Sequence, residues 1–129
     1  MSRLKILNIQ QMKNKQKIVC LTAYTSQIAN SIEKYVDVLL IGDSLGTTIY
    51  GMKNTRSVNI NMMKNHGRAV VKFSTRPFTI IDMPYKSYES NESAYYNASQ
   101  LLNYTKCQSV KIEIINKNNI NIVSYLTRK

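Results

Sequence analysis

Tryptophan is absent from this 129-residue chain, and glycine (4), proline (2), cysteine (2) and acidic residues (7) are scarce. Each shortage excludes something. With so few glycines and no Asn-Gly or Asp-Gly pair, tight hairpin turns have no sequence to build on, which argues against an antiparallel arrangement. No apolar run approaches the roughly 18 residues that a helical membrane span requires. The opening residues Met1-Ser2-Arg3-Leu4-Lys5 lack the apolar stretch and cleavage site of a secretory leader, so a cytoplasmic location is expected. Cys20 and Cys107 have neither metal-ligand spacing nor a disulfide framework. Both lie beside apolar runs and are expected to be buried free thiols.

Acid is outnumbered by base, 7 against 18, giving a formal net charge of +11. Such a surplus would suit a polyanionic partner. The basic residues, however, are spread along the chain, and none forms a block of five or six. The 13 Lys, 14 Asn and 15 Ile make up a third of the chain, a bias that a drift of coding composition would leave. Lysines then fill ordinary solvated positions, and neither nucleic acid nor membrane is expected as a partner.

What is present is a repeat. The apolar run Lys17–Ala23 predicts a strand, and Ser26–Tyr35 a helix with Ile28, Ala29 and Ile32 at helical spacing. Val36–Ile41 predicts a second strand and Ile60–Phe73 a second helix, with Met62, Met63, Ala69 and Val70 towards the core. Pro77–Ile81 predicts a third strand. Glu92–Tyr104 predicts a third helix, opened by a Ser90 cap. Ser109–Glu113 predicts a fourth strand, and Ile120–Leu126 the start of another helix. Residues 1–16 are amphipathic and suit a capping helix, leaving 17–129 for about four strand–helix units in one domain. Alternation of this kind builds a parallel sheet with helices packed on it, and almost continuously apolar strands fit a sheet buried on both faces.

The placement of the few acids is the most informative feature. Asp43, Asp82 and Glu113 each fall at the C-terminal end of a predicted strand. In parallel α/β folds those ends form the ligand-binding face. Three carboxylates converging there would repel one another unless a cation joined them, and hard oxygen ligands suit Mg²⁺. Lys111 and Glu113, two apart on the predicted strand, would point to the same side. The bland alternative is that these acids cap helices or pair with surface lysines. His66 is read as a structural hydrogen-bonding residue. The Gly42 and Gly46 pair has neither the Lys-Ser/Thr of a P-loop nor dinucleotide spacing, so no nucleotide site is assigned.

Four blocks, Leu21-Thr22-Ala23-Tyr24, Ile41-Gly42-Asp43-Ser44-Leu45-Gly46, Ile81-Asp82-Met83-Pro84 and Val110-Lys111-Ile112-Glu113, together resemble the ketopantoate (3-methyl-2-oxobutanoate) hydroxymethyltransferases. The resemblance implies a (β/α)8 TIM barrel and a one-carbon transferase of pantothenate biosynthesis. Such an enzyme uses Mg²⁺ and the co-substrate 5,10-methylenetetrahydrofolate to convert 3-methyl-2-oxobutanoate, an α-keto acid, to 2-dehydropantoate. It implies metal ligation by Asp43, Asp82 and Glu113, and keto-acid contacts from Asp43, Ser44, Asp82 and Lys111.

Departures accompany the matches. Ile114 and Ile115 stand where the family has glycines, and Thr25 stands where it has an acid. A closed barrel takes about 250 residues, so this chain is expected to be the first half of one, truncated or split. The family's general-base glutamate lies beyond residue 129, and no catalytic residue is assigned. The expected chain is inactive alone and joins a complementary half-chain or copies of itself. Two other readings stay open: a non-catalytic remnant, and a related isocitrate-lyase or phosphoenolpyruvate-mutase type of barrel.

Overall fold

The computed structural model describes residues 3–129. Eleven elements follow in order, and every strand but the last is separated from the next by helix. They are α1 (Ile6–Met12), β1 (Cys20–Thr22), α2 (Ser26–Ile32), β2 (Val38–Ile41), α3 (Leu45–Thr48), a 3-10 turn (Thr55–Ser57), α4 (Ile60–Lys72), β3 (Phe78–Asp82), α5 (Asn91–Thr105), β4 (Ser109–Lys111) and α6 (Lys117–Leu126). The sheet is parallel throughout, in the order β1-β2-β3-β4. Its register places Leu40 beside Ile80 and Asp82 beside Lys111. The expected alternating α/β architecture is therefore present.

Side-chain alternation sorts the strands into two faces. Leu39, Ile41 and Ile81 point to the helical layer and are fully buried, together with Met63 and Val70 of α4 and Leu101 of α5. Gly67 lets α4 sit directly on this layer. A Cβ there would lie 2.7 Å from Ile81 Cδ1 and 2.8 Å from Thr105 Cγ2. Helix starts are set by side-chain caps: Asn59 accepts from the Met62 N–H, Ser90 from Ser93 and Asn116 from Asn119.

Two arginines close the N-terminal ends of the strands. Arg3 donates to the carbonyls of Pro77 (3.0 Å), Val71 (3.1 Å) and Ser74. Arg76 pairs with Asp37 at 3.1 Å, and the other Asp37 oxygen accepts from the Val19 N–H. The Gln108 side chain ties β4 in by donating to the Leu4 carbonyl at 2.7 Å. Glu33 fastens the same end from outside, accepting from both N–H and hydroxyl of Thr75. The Thr75 amide, with the hydroxyl and the Arg76 amide, holds the Glu33 carboxyl below the usual range. A depressed carboxyl contributes stability above its unfolded range and loses it as pH falls through the folded value. Glu33→Gln is thus expected to lower thermal stability at pH 7, by no more than about 1 kcal/mol because the group is well solvated. Melting curves of the two proteins should converge on acidification; an equal gap at pH 2 would count against this role.

Three expectations need correction. Cys20 is exposed, unlike Cys107, because β1 is an edge strand with no neighbour beyond it among the described residues. Ile18, Val19 and Leu21 are exposed on that strand's flank for the same reason. The predicted 17–23 strand shrinks to three residues, and the helix predicted over Ser26–Tyr35 stops at Ile32, with Ile28 inside it and Tyr35 beyond it both exposed. Pairing in β4 ends at Lys111, so Glu113 lies past the strand on exposed backbone.

Candidate functional site

The sheet brings the polar strand ends together as follows. Asp82 is the last residue of β3, and its side chain is only 8% exposed. Its Oδ2 accepts from the Asp43 N–H at 3.1 Å, so the loop after β2 is tied to the end of β3. Gly42 makes that approach possible: a Cβ there would come within 2.9 Å of Ser44 Oγ and 3.5 Å of Asp82 Oδ2. Asp82 Oδ1 is sealed from solvent and has no hydrogen bond of acceptable angle. What it faces is the Lys111 ammonium, 2.7 Å away across the strand pair. Such a buried oxygen has capacity for a further electrophilic partner.

Burial pushes the Asp43 carboxyl up, and the nearby Asp82 charge adds to it; Glu113 acts more weakly in the same direction. Burial works to pull Lys111 down, but contact with Asp82, followed by Glu113 and Asp43, outweighs it and leaves the ammonium firmly protonated. Ser44 is oriented by Tyr24, whose hydroxyl lies 2.7 Å from Ser44 Oγ. His66 holds the other side of this arrangement: Nδ1 meets the Tyr24 carbonyl oxygen and Nε2 the Tyr50 hydroxyl at 2.9 Å. Its place is structural, linking α4 to the loop after β1 and to the end of α3.

Asp43, Asp82, Lys111 and Glu113 line a single cavity of about 180 Å³. Four further lining residues, Thr55, Arg56, Tyr85 and Tyr88, were not foreseen. Thr55 and Arg56 sit on the 3-10 turn, whose only sequence signal is Asn54 capping the Arg56 N–H. Tyr85 and Tyr88 follow β3 in a turn with no apolar period. The closely packed three-carboxylate cluster expected for a metal is not assembled. Among the described residues no three His, Cys, Asp or Glu side chains are grouped tightly enough to hold an ion as they stand. The reason is that β4 ends two residues before Glu113. The donor set nevertheless fits Mg²⁺, which keeps several waters and needs only one or two carboxylates. Asp43 and Asp82 provide two, with Asp82 Oδ1 also in contact with the Lys111 ammonium at 2.7 Å.

Parallel strands, alternating helices and an acid–lysine cluster at the carboxyl ends of the strands define an α/β protein of the barrel class. Oxaloacetate acetylhydrolase has a similar fold, with a TM-score of 0.67 over 93% of this chain and 47% of that one, at 9% identity. The sequence profile of ketopantoate hydroxymethyltransferase matches residues 3–129. The chain is 48% identical over 110 residues to the 3-methyl-2-oxobutanoate hydroxymethyltransferase of Anaplasma marginale (strain St. Maries), covering 85% of this chain and 40% of that one. It is 46% identical over 112 residues to the same-named protein of Agrobacterium fabrum, covering 86% and 40%. The chain belongs to the ketopantoate hydroxymethyltransferase family. It spans about 40% of the length of the curated relatives it matches.

Proposed function

We propose that this chain supplies the keto-acid- and metal-binding half of a 3-methyl-2-oxobutanoate hydroxymethyltransferase, as a single incomplete barrel domain working in the cytoplasm. The reaction consumes water and transfers the one-carbon unit of 5,10-methylenetetrahydrofolate to 3-methyl-2-oxobutanoate as a hydroxymethyl group, giving 2-dehydropantoate and tetrahydrofolate. The observation that carries the reading is the Asp82–Lys111 pair, tied to the Asp43 amide and lining one cavity at the strand ends. Asp43 and Asp82 would hold Mg²⁺, with Glu113 on the wall of the same cavity. When bound, the ion supplies Lewis-acid polarisation of the keto group, which makes the neighbouring C–H easier to remove.

The chain's own residues do the rest of the binding. Lys111, kept protonated by Asp82, sets a fixed positive charge against the oxygens of the keto acid, on which negative charge develops as the proton leaves. Ser44, whose hydroxyl lies 2.7 Å from that of Tyr24, is not on the cavity lining, and its contact to the keto acid rests on the family resemblance alone. Proton abstraction is assigned to no residue among these 129.

Two measurements test the reading. Calorimetric titration with 3-methyl-2-oxobutanoate should show binding that requires Mg²⁺; its absence in folded protein would remove the proposal. Incubation with the keto acid, Mg²⁺ and 5,10-methylenetetrahydrofolate should give no product from this chain alone. Product that disappears in Asp43→Ala would show that the proton-abstracting group lies within it after all.

A further inference from the structure

The start of α4 carries a positive field that no side chain answers. Asn59 caps the helix, its side chain accepting from the Met62 N–H at 3.0 Å and its carbonyl from the Met63 N–H at 3.2 Å. The two N–H groups before these, of Ile60 and Asn61, have no partner within the helix. A helix of 13 residues places a partial positive charge at this end, and its first turn holds no acid to meet it. Asn59 and Ile60 line a cavity of about 250 Å³, whose other walls come from the turn after β3 and from Asn97 of α5.

A second observation, independent of the helix, lies in that turn. Ser87 lines the same cavity and is 7% exposed, and its buried hydroxyl has no hydrogen-bond partner among the described residues. A buried hydroxyl left without a partner is costly, and an acceptor bound in the cavity would remove the cost. The turn that carries it is well held. The Ser87 N–H bonds the Pro84 carbonyl at 3.0 Å, and the Ser87 carbonyl accepts from the Asn97 side chain at 2.8 Å. That bond uses one of the two amide hydrogens of Asn97. Lys86, in the same turn with φ of +63°, is the one charged residue of the lining.

We infer that this cavity binds a phosphate group, carried by a small phosphate monoester or as the free ion. The wall offers donors of four kinds: helix-start N–H groups, a hydroxyl, an amide and an ammonium. Phosphate answers them with about two negative charges and three or more acceptor oxygens. A metal ion would find no anionic ligand there, since the lining contains no acid. Val58, Pro84 and Tyr85 add an apolar wall for the organic part of an ester. The site is separate from the cavity at the strand ends, which holds three carboxylates and shares only Tyr85 with it. It therefore stands whether or not the proposed reaction does.

The test is titration calorimetry of the full chain in phosphate-free buffer, with inorganic phosphate and, separately, with glycerol 3-phosphate. Both should bind, and each should raise the melting temperature. Tighter binding of glycerol 3-phosphate would assign the apolar wall to its organic part, and equal binding would assign the site to free phosphate; either supports it. Ser87→Ala should weaken both probes by about tenfold. Without ligand this variant should melt no lower than the parent, because what it loses is an unpartnered hydroxyl. Asn59→Asp keeps a side chain that caps a helix as well as asparagine, but it sets a negative charge at the cavity. It should weaken both probes by about tenfold or more. The net charge of +11 lets phosphate gather loosely on surface lysines as well. Binding undiminished in both Ser87→Ala and Asn59→Asp would place it there and overturn the site. Folded parent protein that binds neither probe would overturn it equally.

Discussion

Asp82→Asn is expected to weaken Mg²⁺-dependent binding of 3-methyl-2-oxobutanoate by about 30-fold, some 2 kcal/mol. The amide keeps the size of the carboxylate and an oxygen that can accept from the Asp43 N–H, so the loop after β2 should hold its place. What goes is the negative charge: the ion partner of Lys111 at 2.7 Å and one of the two carboxylates placed for the metal. Removing one member of a buried charge pair costs about 2–5 kcal/mol. Lys111 retains 40% side-chain exposure and can be rehydrated, which puts the loss at the lower end. Wild-type affinity in Asp82→Asn would mean that the pair is only structural, and the site assignment would fall with it.

Ile81→Ala should have the largest effect on folding, about 3–5 kcal/mol out of the 5–15 kcal/mol typical of a domain. Ile81 is fully buried on β3, paired in register with Ile41 and Val110, and precedes Asp82 directly. The cavity left behind would face Gly67, which has no side chain to fill it. A second substitution follows from that contact. In the parent chain, Gly67→Ala places a Cβ 2.7 Å from Ile81 Cδ1, and overpacking of about 1–3 kcal/mol opposes the roughly 1 kcal/mol gained in helix propensity. With Ile81 already cut back, one of the two close contacts is gone. Thr105 remains, its Cγ2 at 2.8 Å and Cβ at 3.2 Å, and hydrogen bonds to Leu101 and Cys107 hold it there, so part of the overpacking persists. Gly67→Ala should therefore cost less in the Ile81→Ala background than in the parent, a coupling readable by urea denaturation. Additive effects would show that α4 does not bear on Ile81 as the structure has it.

The order of strands and helices was legible in the sequence because most of the strands are almost continuously apolar and most helices carry spaced apolar residues. Ser90 was legible as a cap for the same local reason. Strand lengths were not. Lys17–Ala23 has strand composition throughout, yet pairing begins only at Cys20, since strand extent depends on what lies alongside. Period-two reasoning placed Lys111 and Glu113 on one strand face, but the ladder stops at Lys111. Asp43 and Asp82 were found through their position after apolar runs. Thr55, Arg56, Tyr85 and Tyr88 reach the cavity from irregular segments, where no periodicity marks a side chain's direction. Family resemblance supplied the roles; composition alone would have stopped at acids on the ligand-binding face.

The arginine clasp at the opposite end of the sheet constrains evolution unevenly. Arg3 meets only main-chain oxygens, those of Pro77, Val71 and Ser74, so its contacts do not depend on which side chains stand there. Position 3 itself is far less free, because lysine presents its donors from a single nitrogen and lacks the planar fork that reaches several carbonyls at once. Substitutions can accumulate at Pro77, Val71 and Ser74 while Arg3 keeps its contacts, whereas the neighbouring Arg76 depends on the Asp37 side chain and loses its ion pair if that carboxylate changes.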